Sequence, residues 1–236
     1  MVGRLSAPPS SHPGLPEAAE TTATAVRDIG CKALALSWDI ADLAVIGSRV
    51  TTVEKALGPV DILVNITSGP PPTPAADQAV ALWKDDFESM VLSVIAITDR
   101  ILPHMRTRRW GRIITSTSSV VIAPIPTLAI SNSLRLSLVG WSKTLSQEVG
   151  LDGITVNVVL PGRIATQRIA FLDEQKSKRQ GRSIEEIRPD STASIPLGRY
   201  GDPQEYADVI TFLASSRASY VTGSIIRVDG GLIQSI

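Results

Sequence analysis

Two nearly unbroken runs of apolar and β-branched residues constrain the fold more than any other feature. One run covers residues 60–64 (VDILV) and the other covers residues 154–159 (ITVNVV). A strand with so few polar positions has no face suited to water, so it fits a parallel sheet with helices on both faces. These two runs therefore favour an α/β fold.

Helical and strand-like segments alternate along the rest of the chain, as in successive βαβ units. The absence of an internal repeat argues against a solenoid. Apolar spacing, glycine and proline positions predict helices over 17–28, 42–57, 78–107, 128–150 and 203–214, and strands over 32–38, 60–65, 111–116, 153–159 and 224–228.

Composition narrows the class of partner. The 236 residues suffice for one well-packed domain. Lys and Arg total 23, as do Asp and Glu, so no broad positive field favours nucleic acid or a membrane surface. The expected partner is a small molecule or a protein. No apolar stretch approaches the roughly 18 residues that a bilayer requires.

The single cysteine and the two histidines bear on compartment and metal binding. Cys31 alone excludes an intramolecular disulfide and fits a reducing cytoplasm, which is the localisation we expect. His12 and His104 lie far apart and belong to no metal-binding motif, so no metal site is expected.

The first 16 residues differ in composition from the rest. Pro8, Pro9, Pro13 and Pro16 remove backbone donors, and little apolar surface accompanies them. This predicts a proline-rich tail over 1–16 and a single domain over 17–236. Within that domain, 167–194 is a polar excursion between the last two predicted strands.

Five local strings, in order, carry a family resemblance. They are Leu57–Asn65, Gly111–Ser118, Leu160–Thr166, Pro196–Pro203, and Tyr220–Gly223 with Val228–Gly231. Each alone is a common turn pattern, but their order and spacing together resemble the short-chain dehydrogenase/reductase family. The resemblance, most similar to 3-oxoacyl-ACP reductase-like members, covers roughly the last 200 residues.

This resemblance implies a fold and a chemistry. It implies a Rossmann-like, doubly wound parallel sheet in three α/β/α layers, with ligands beyond the carboxyl ends of the strands. It further implies carbonyl reduction or alcohol oxidation with NAD or NADP. The segment 167–194 corresponds to the family's substrate lid, with a solvated helix pair as the alternative.

Cofactor-binding residues are also implied by the resemblance. Pro161, Gly162, Ile164 and Thr166 belong to a loop similar to the one that holds the nicotinamide carboxamide. Two further candidates have structural alternatives. Asp39 matches a residue that accepts from the adenine amino group, or it caps the following helix together with Asp42. Asn65 matches the first residue of the family's Asn-Asn-Ala-Gly turn, or it serves a structural turn.

The sequence departs from the family at the phosphate-binding loop. The string Thr-Gly-x-x-x-Gly-x-Gly, whose backbone N–H groups would bind pyrophosphate at a helix N-terminus, does not occur. The segment 32–38 matches the family's third strand. The first two strands and the helix between them therefore have no counterpart, which predicts a gap in the sheet, unless the remaining strands re-pair, and a sharp loss of dinucleotide affinity.

Three of four catalytic positions are also changed. The family serine is kept as Ser118, but the tyrosine position falls on Ser131 and the lysine position on Arg135. Met90 stands where the family has an asparagine. A serine hydroxyl is far less acidic than a phenol, and a guanidinium does not deprotonate. Ser118, Ser131 and Arg135 could bind a carbonyl or a small anion, or could serve packing alone.

Three functional hypotheses follow. The chain is an NAD(P)-dependent oxidoreductase, a non-catalytic binding or oligomerisation protein, or a chain whose front part lies upstream of Met1. The family's dimer contact corresponds to helices 78–107 and 128–150, which implies a homodimer or homotetramer. In the second helix, apolar side chains suited to such a contact, or to the core, are Leu134, Leu138, Val139 and Trp141.

Overall fold

The computed structural model of the protein describes residues 15–67 and 69–235. In this part of the chain four strands alternate with helices. The helices are α1 (Leu15–Asp28), α2 (Ile46–Leu57), α3 (Val80–Phe87), α4 (Ser93–Arg108), α5 (Ala129–Val149), α6 (Gln167–Gln180), α7 (Ile184–Thr192) and α8 (Pro203–Ala214), and the strands are β1 (Ile62–Ile66), β2 (Gly111–Ser116), β3 (Ile154–Pro161) and β4 (Ile225–Val228).

The four strands form one parallel sheet in the order β1-β2-β3-β4. Its register pairs Val64 with Ile114 and Ile114 with Asn157. Every residue of β2, and every residue of β3 up to Leu160, is buried. The apolar run 154–159 therefore lies in a strand buried on both faces, as the sequence predicts, whereas the run 60–64 leads into β1 at the edge of the described sheet and is only partly buried.

Helices cover the two faces unequally. On one face, apolar side chains of α2, α4 and α5 form the main core with residues of β1, β2 and β3 such as Leu63, Ile113 and Val156. On the other face α8 packs on β2, β3 and β4, with Leu213 against Ile114 and Val159. The face covered by α8 therefore has fewer packed helices than the other face, and β1 lies at its margin.

Most predicted elements are confirmed, in several cases to the residue. The predicted helix 203–214 is α8, and the predicted strand 111–116 is β2. The predicted helix 78–107 is a helix from Val80 to Arg108, interrupted by a π-helical turn over Glu88–Leu92. The excursion 167–194 contains the helix pair α6 and α7.

The predicted strand 32–38 is wrong, because these residues have no regular secondary structure. They still pack inward, with Leu34, Leu36 and Trp38 against the main core. A strand requires a hydrogen-bonded neighbour, and none of the four described strands lies beside this segment. Its apolar pattern therefore places it against the core without pairing it.

The N-terminal prediction is corrected at its boundary. Helix α1 begins at Leu15, so the last two residues of the predicted tail belong to this helix. The remainder of the predicted tail, 1–14, lies outside the described residues.

Candidate active site

The candidate catalytic residues meet at the carboxyl ends of the strands. Ser118 follows the end of β2 by two residues, and Ser131 and Arg135 lie in the first two turns of α5. Parallel strands bring the loops after β1, β2 and β3 to the same edge of the sheet. The structure joins Ser131 to Arg135 by a hydrogen bond and places Ser118 next to Thr117, whose carbonyl oxygen accepts from Arg135.

Arg135 joins two of these loops. Its guanidinium donates to the carbonyl oxygens of Thr67 after β1, at 3.4 Å, and Thr117 after β2, at 3.3 Å. Its Nε donates to Ser131 Oγ, one helical turn earlier, at 3.3 Å. A planar group with five donors can bridge such divergent acceptors, whereas an ammonium has three donors on one atom.

The charge of Arg135 is held in a buried position. Arg135 is only 7% exposed. Burial lowers the pKa of its guanidinium to about 10, and the nearby Tyr206 opposes this shift. Arg135 is therefore still a cation at neutral pH. It supplies a fixed positive charge at the strand ends.

Ser118 begins a short 3-10 turn after β2. Its Oγ accepts from the Val120 amide at 3.4 Å, which leaves the hydroxyl proton available for another acceptor. The residue itself is half-buried. Ser118 can therefore donate to a carbonyl oxygen at the edge of the site.

Met90, at the family's asparagine position, lies inside the π-helical turn of Glu88–Leu92. Its side chain is 1% exposed and packs with Ile130 and Leu134 of α5. A thioether in an apolar cluster offers no hydrogen bond for a water relay. π-Helical turns are frequent at functional sites, and here the turn carries a packing residue.

Two threonine hydroxyls at this site were not singled out from the sequence. Thr67 and Thr117 are 8% and 5% exposed, and the Oγ1 atom of each is buried without a hydrogen-bond partner. The carbonyl groups of the same two residues accept from Arg135. Their sequence signal is only their position directly after a buried strand.

Tyr206 is a second feature that the sequence did not reveal as part of this edge. From α8, its hydroxyl lies 2.7 Å from Ser116 Oγ and donates to the Val159 carbonyl at 3.4 Å. Burial raises the pKa of the phenol to about 12, against opposing effects of Ser116 and Arg135. The helical spacing of Tyr206 indicates a packing role, so the sequence does not predict its polar contacts with the strand ends.

The loop after β3 is held by neighbouring backbone. Gly162 lies against the segment after β4, where an added Cβ would be 2.6 Å from Asp229 Cα, so packing alone requires glycine here. Ile164 pairs with Gly201, and Thr166 precedes α6 as an exposed residue. Pro161 ends β3 and is half-buried. The loop is thus preformed at the correct edge for a ligand.

The other two cofactor candidates have local structural partners. The Asp39 carboxylate accepts from the Ala41 amide at 2.9 Å, as in a turn before a helix. Asn65 is 1% exposed and donates to Thr115 Oγ1 at 3.4 Å. These contacts differ from the structural alternatives. Asp42, the N-cap of the 3-10 helix Leu43–Val45, makes no side-chain cap hydrogen bond, and Asn65 lies inside β1 rather than in a turn.

The phosphate-binding loop of a dinucleotide site has no counterpart in the described residues. The loops after β1, β2 and β3 lead to helices at Val80, Ala129 and Gln167, and their described residues contain no glycine-rich turn. The described part of the chain therefore has no pyrophosphate cradle at a helix N-terminus.

The residues considered for a dimer contact divide between core and surface. Leu134 and Leu138 are buried within the chain, whereas Val139 and Trp141 are half-buried. Large apolar side chains exposed nearby are Val80, Phe87, Ile125 and Leu136. In the described residues there is also no group of three or more His, Cys, Asp or Glu side chains suited to a metal, and no helix long and apolar enough to cross a membrane.

The fold and the polar strand ends define a Rossmann-like α/β protein, and comparison with known proteins gives its family. A family model described as enoyl-(acyl carrier protein) reductase matches residues 14–233. The chain is 33% identical over 214 residues to the 3-oxoacyl-[acyl-carrier-protein] reductase FabG of Escherichia coli, covering 90% of this chain and 83% of that protein. The chain therefore belongs to the short-chain dehydrogenase/reductase family, which comprises oxidoreductases.

Two solved structures are similar to this chain and agree with the family assignment. The L-sorbose reductase of Gluconobacter frateurii, in complex with NADPH and L-sorbose, superposes with a TM-score of 0.87 at 28% identity, covering 93% of this chain and 84% of that one. An actinorhodin polyketide ketoreductase with NADPH gives a TM-score of 0.84 at 32% identity, covering 92% and 84%.

Proposed function

We propose that this protein is an NAD(P)-dependent oxidoreductase that reduces a small carbonyl compound or oxidises the corresponding alcohol. The observation that carries the proposal is the position of Ser118 beside a buried cation at the carboxyl edge of a sheet that superposes on NADPH-dependent reductases. A reactant at this edge lies beside the loop 161–166, which fits the nicotinamide end of the cofactor.

Each residue has a role suited to its chemistry. Ser118 donates a hydrogen bond to the carbonyl oxygen, and Ser131 contributes a second hydroxyl. Arg135 stabilises the negative charge that develops on that oxygen, because a buried cation acts through a low local dielectric. Without a phenol at position 131, the proton for the product alcohol comes from a less acidic donor, so turnover is slow.

The cofactor residues are proposed from the same edge. Pro161, Gly162, Ile164 and Thr166 hold the nicotinamide end, with Asn65 and Asp39 on the side toward the adenine. When bound, a reduced nicotinamide supplies a hydride. The residues present do not fit the pyrophosphate, so we expect this chain alone to bind NADH and NADPH weakly.

A specific observation favours the second candidate, a non-catalytic binding or oligomerisation protein. Arg135 bridges the carbonyl groups of two loops, which is a structural use of the guanidinium. In this candidate the exposed apolar side chains of α3 and α5 serve a homodimer or homotetramer contact. The segment 167–194 would then be a fixed helix pair rather than a substrate lid.

In either case the lone, exposed Cys31 fits a cytoplasmic protein.

A matched pair of serine variants tests the oxidoreductase proposal. With millimolar NADPH and a panel of small ketones and 3-oxoacyl esters, we expect slow oxidation of NADPH that falls at least about tenfold in Ser118→Ala. Ser119→Ala, on the same turn, should keep the rate. Absence of NADPH oxidation in the folded protein, or equal rates in the two variants, would contradict the proposal and favour the non-catalytic candidate.

A further inference from the structure

The hydroxyl of Tyr206 links helix α8 to the carboxyl end of β2. It lies 2.7 Å from Ser116 Oγ, a contact in which either oxygen can be the donor, and 3.4 Å from the Val159 carbonyl oxygen. The contact with Ser116 is the shorter of the two, and a phenol has only one proton to donate. Rotation of the two hydroxyl groups can therefore reverse the direction of the hydrogen bond between Tyr206 and Ser116.

Ser116 lies in a row of side chains that extends from α8 to the candidate site. Earlier in this row, Ile114 packs with Leu213 of α8. Backbone pairing with β3 continues past the end of β2, because the Thr117 amide donates to a carbonyl group of β3 at 3.0 Å. Ser118 also has an extended backbone. Side chains two residues apart on an extended chain share a face, so Ser116 and Ser118 follow Ile114 on the α8 side.

One water molecule can span the distance between the two serines. Two residues on an extended chain are about 6.6 Å apart, which is too far for a direct hydrogen bond between Ser116 and Ser118 but suits a single bridging water. Ser116 is 6% exposed, whereas Ser118 is half-buried. Ser118 Oγ accepts from the Val120 amide, which leaves its proton for a reactant. Hydroxyl groups therefore connect the Tyr206 phenol to the open edge of the candidate site.

The charge of Arg135 makes a phenolate at Tyr206 less costly. Burial raises the pKa of the Tyr206 phenol to about 12, and Ser116 and Arg135 act in the opposite direction. The phenol is therefore protonated at neutral pH, yet it remains more acidic than the hydroxyl of a product alcohol. A transient phenolate would lie near a cation that is itself buried. The phenol can thus release a proton toward an alkoxide.

The other tyrosines of the chain have different surroundings. Of the three tyrosines, Tyr200 donates to the Asp173 carboxylate at 2.7 Å, and Tyr220 is fully exposed. Tyr206 is the tyrosine whose hydroxyl contacts the end of β2. It is therefore the phenol best placed to serve the candidate site.

We propose that Tyr206, acting through Ser116, supplies the proton that completes the product alcohol. This inference rests on the proposed function and adds the source of the proton. When the carbonyl carbon accepts the hydride, the carbonyl oxygen takes the Ser118 proton. Ser118 regains a proton from Ser116 through the bridging water, and Ser116 regains one from Tyr206. The phenolate of Tyr206, a residue that is only partly buried, takes a proton from solvent, so each turnover consumes one hydride and one proton.

Fluorine NMR tests the contact in the protein without cofactor. A 3-fluorotyrosine at position 206 keeps the hydroxyl, and its resonance reports the ionisation of the phenol. Ser116→Ala should raise the pKa of this phenol by at least about half a unit, because Ser116 favours the phenolate. Ser119→Ala, in the turn after β2, should leave it unchanged. Equal pKa values in the two variants would overturn the proposal.

Turnover tests the relay itself. With NADPH and the panel of ketones and 3-oxoacyl esters, kcat should fall at least about tenfold in Tyr206→Phe and in Ser116→Ala, and no further in the double variant, because the two groups act in one relay. Tyr220→Phe should keep the rate. Absence of NADPH oxidation by the wild type would overturn the proposed function and the relay with it. A wild-type rate that Tyr206→Phe retains would overturn the relay alone.

The pH profile separates proton supply from a purely structural hydrogen bond. Fluorine on the ring lowers the pKa of a phenol, so the protein with 3-fluorotyrosine at position 206 should lose reductase activity between about pH 9 and about pH 11, where the wild type keeps it. A structural role needs only the hydroxyl, which both proteins retain. Identical pH profiles in two active proteins would therefore overturn the proposal.

Discussion

At the scale of single residues, Arg135 fixes the shape of the candidate site. A lysine at this position would present one ammonium, whereas the guanidinium reaches the Thr67 and Thr117 carbonyls and Ser131 at once. The arginine therefore couples the loops after β1 and β2. Position 135 supplies charge and also fixes the shape of the site.

Tyr206 gives a pH-dependent prediction at the same scale. Burial raises the pKa of its phenol to about 12 from an ordinary value of 10. The folded protein therefore holds this proton more tightly than the unfolded chain, so the resulting stability is present below pH 10 and is lost as pH rises toward 12. Between about pH 9 and about pH 11.5, the free energy of unfolding should fall by about 2 kcal/mol more in the wild type than in Tyr206→Phe.

Urea unfolding of the two proteins at both pH values measures this difference directly. Comparison of variants cancels the titration of lysines and other groups common to both. If the free energy of unfolding changes equally with pH in the two proteins, the Tyr206 phenol does not have the raised pKa that its burial indicates.

The positions of site residues were predictable from the sequence only where a motif fixed them. Spacing from Ser118 places Ser131 and Arg135 at one site, and the structure joins Ser131 and Arg135 by a hydrogen bond. The two orphaned threonine hydroxyls and the Tyr206 contact depend on side-chain direction across the sheet. No pattern along the chain encodes those directions.

At the scale of elements, a buried carboxylate holds the two helices of the segment 167–194 in place. Asp173 of α6 is 3% exposed and accepts from the Tyr200 hydroxyl at 2.7 Å and from Ser191 of α7 at 3.3 Å. Burial, and then the hydrogen bond with Asp173, raise the pKa of the Tyr200 phenol. The phenol thus remains a donor at neutral pH, and the network holds α6 and α7 against the loop that precedes α8.

Removal of the Tyr200 hydroxyl should destabilise the packing of α6 and α7. Tyr200→Phe retains the ring but leaves the buried carboxylate with one partner fewer, which should cost about 2 kcal/mol. Amides in α6 and α7 should then exchange about 30-fold faster by hydrogen–deuterium exchange, if they open locally. Tyr220→Phe, at a fully exposed tyrosine, is the control. Unchanged exchange in Tyr200→Phe would assign the stability of the pair to packing instead.

Elements were predictable where local signals and packing agree. The Asp202 cap with Pro203 fixes the start of α8, and the apolar run 154–159 fixes β3. The segment 32–38 has an equally apolar pattern, yet it is no strand because pairing depends on neighbours that the sequence of the segment does not contain. The π-helical turn at Met90 likewise has no signal in the helical periodicity.

At the scale of the whole molecule, the described sheet has four parallel strands, and the candidate site lies at their carboxyl ends. The strand order β1-β2-β3-β4 brings the loop 161–166 to the carboxyl edge, where we propose that the nicotinamide binds. The described residues provide no cradle for pyrophosphate. Fold and family were predictable from ordered motifs, and the unequal cover of the two faces required the structure.

The most direct test compares NADPH with reduced nicotinamide mononucleotide by titration calorimetry. If only the nicotinamide end is recognised, both compounds should bind in the millimolar range with dissociation constants within about tenfold of each other. Binding of NADPH in the micromolar range, more than about 100-fold tighter than the mononucleotide, would show that this chain alone forms a complete dinucleotide site and would contradict the account. Absence of binding by either compound would contradict the NAD(P)-dependent function itself.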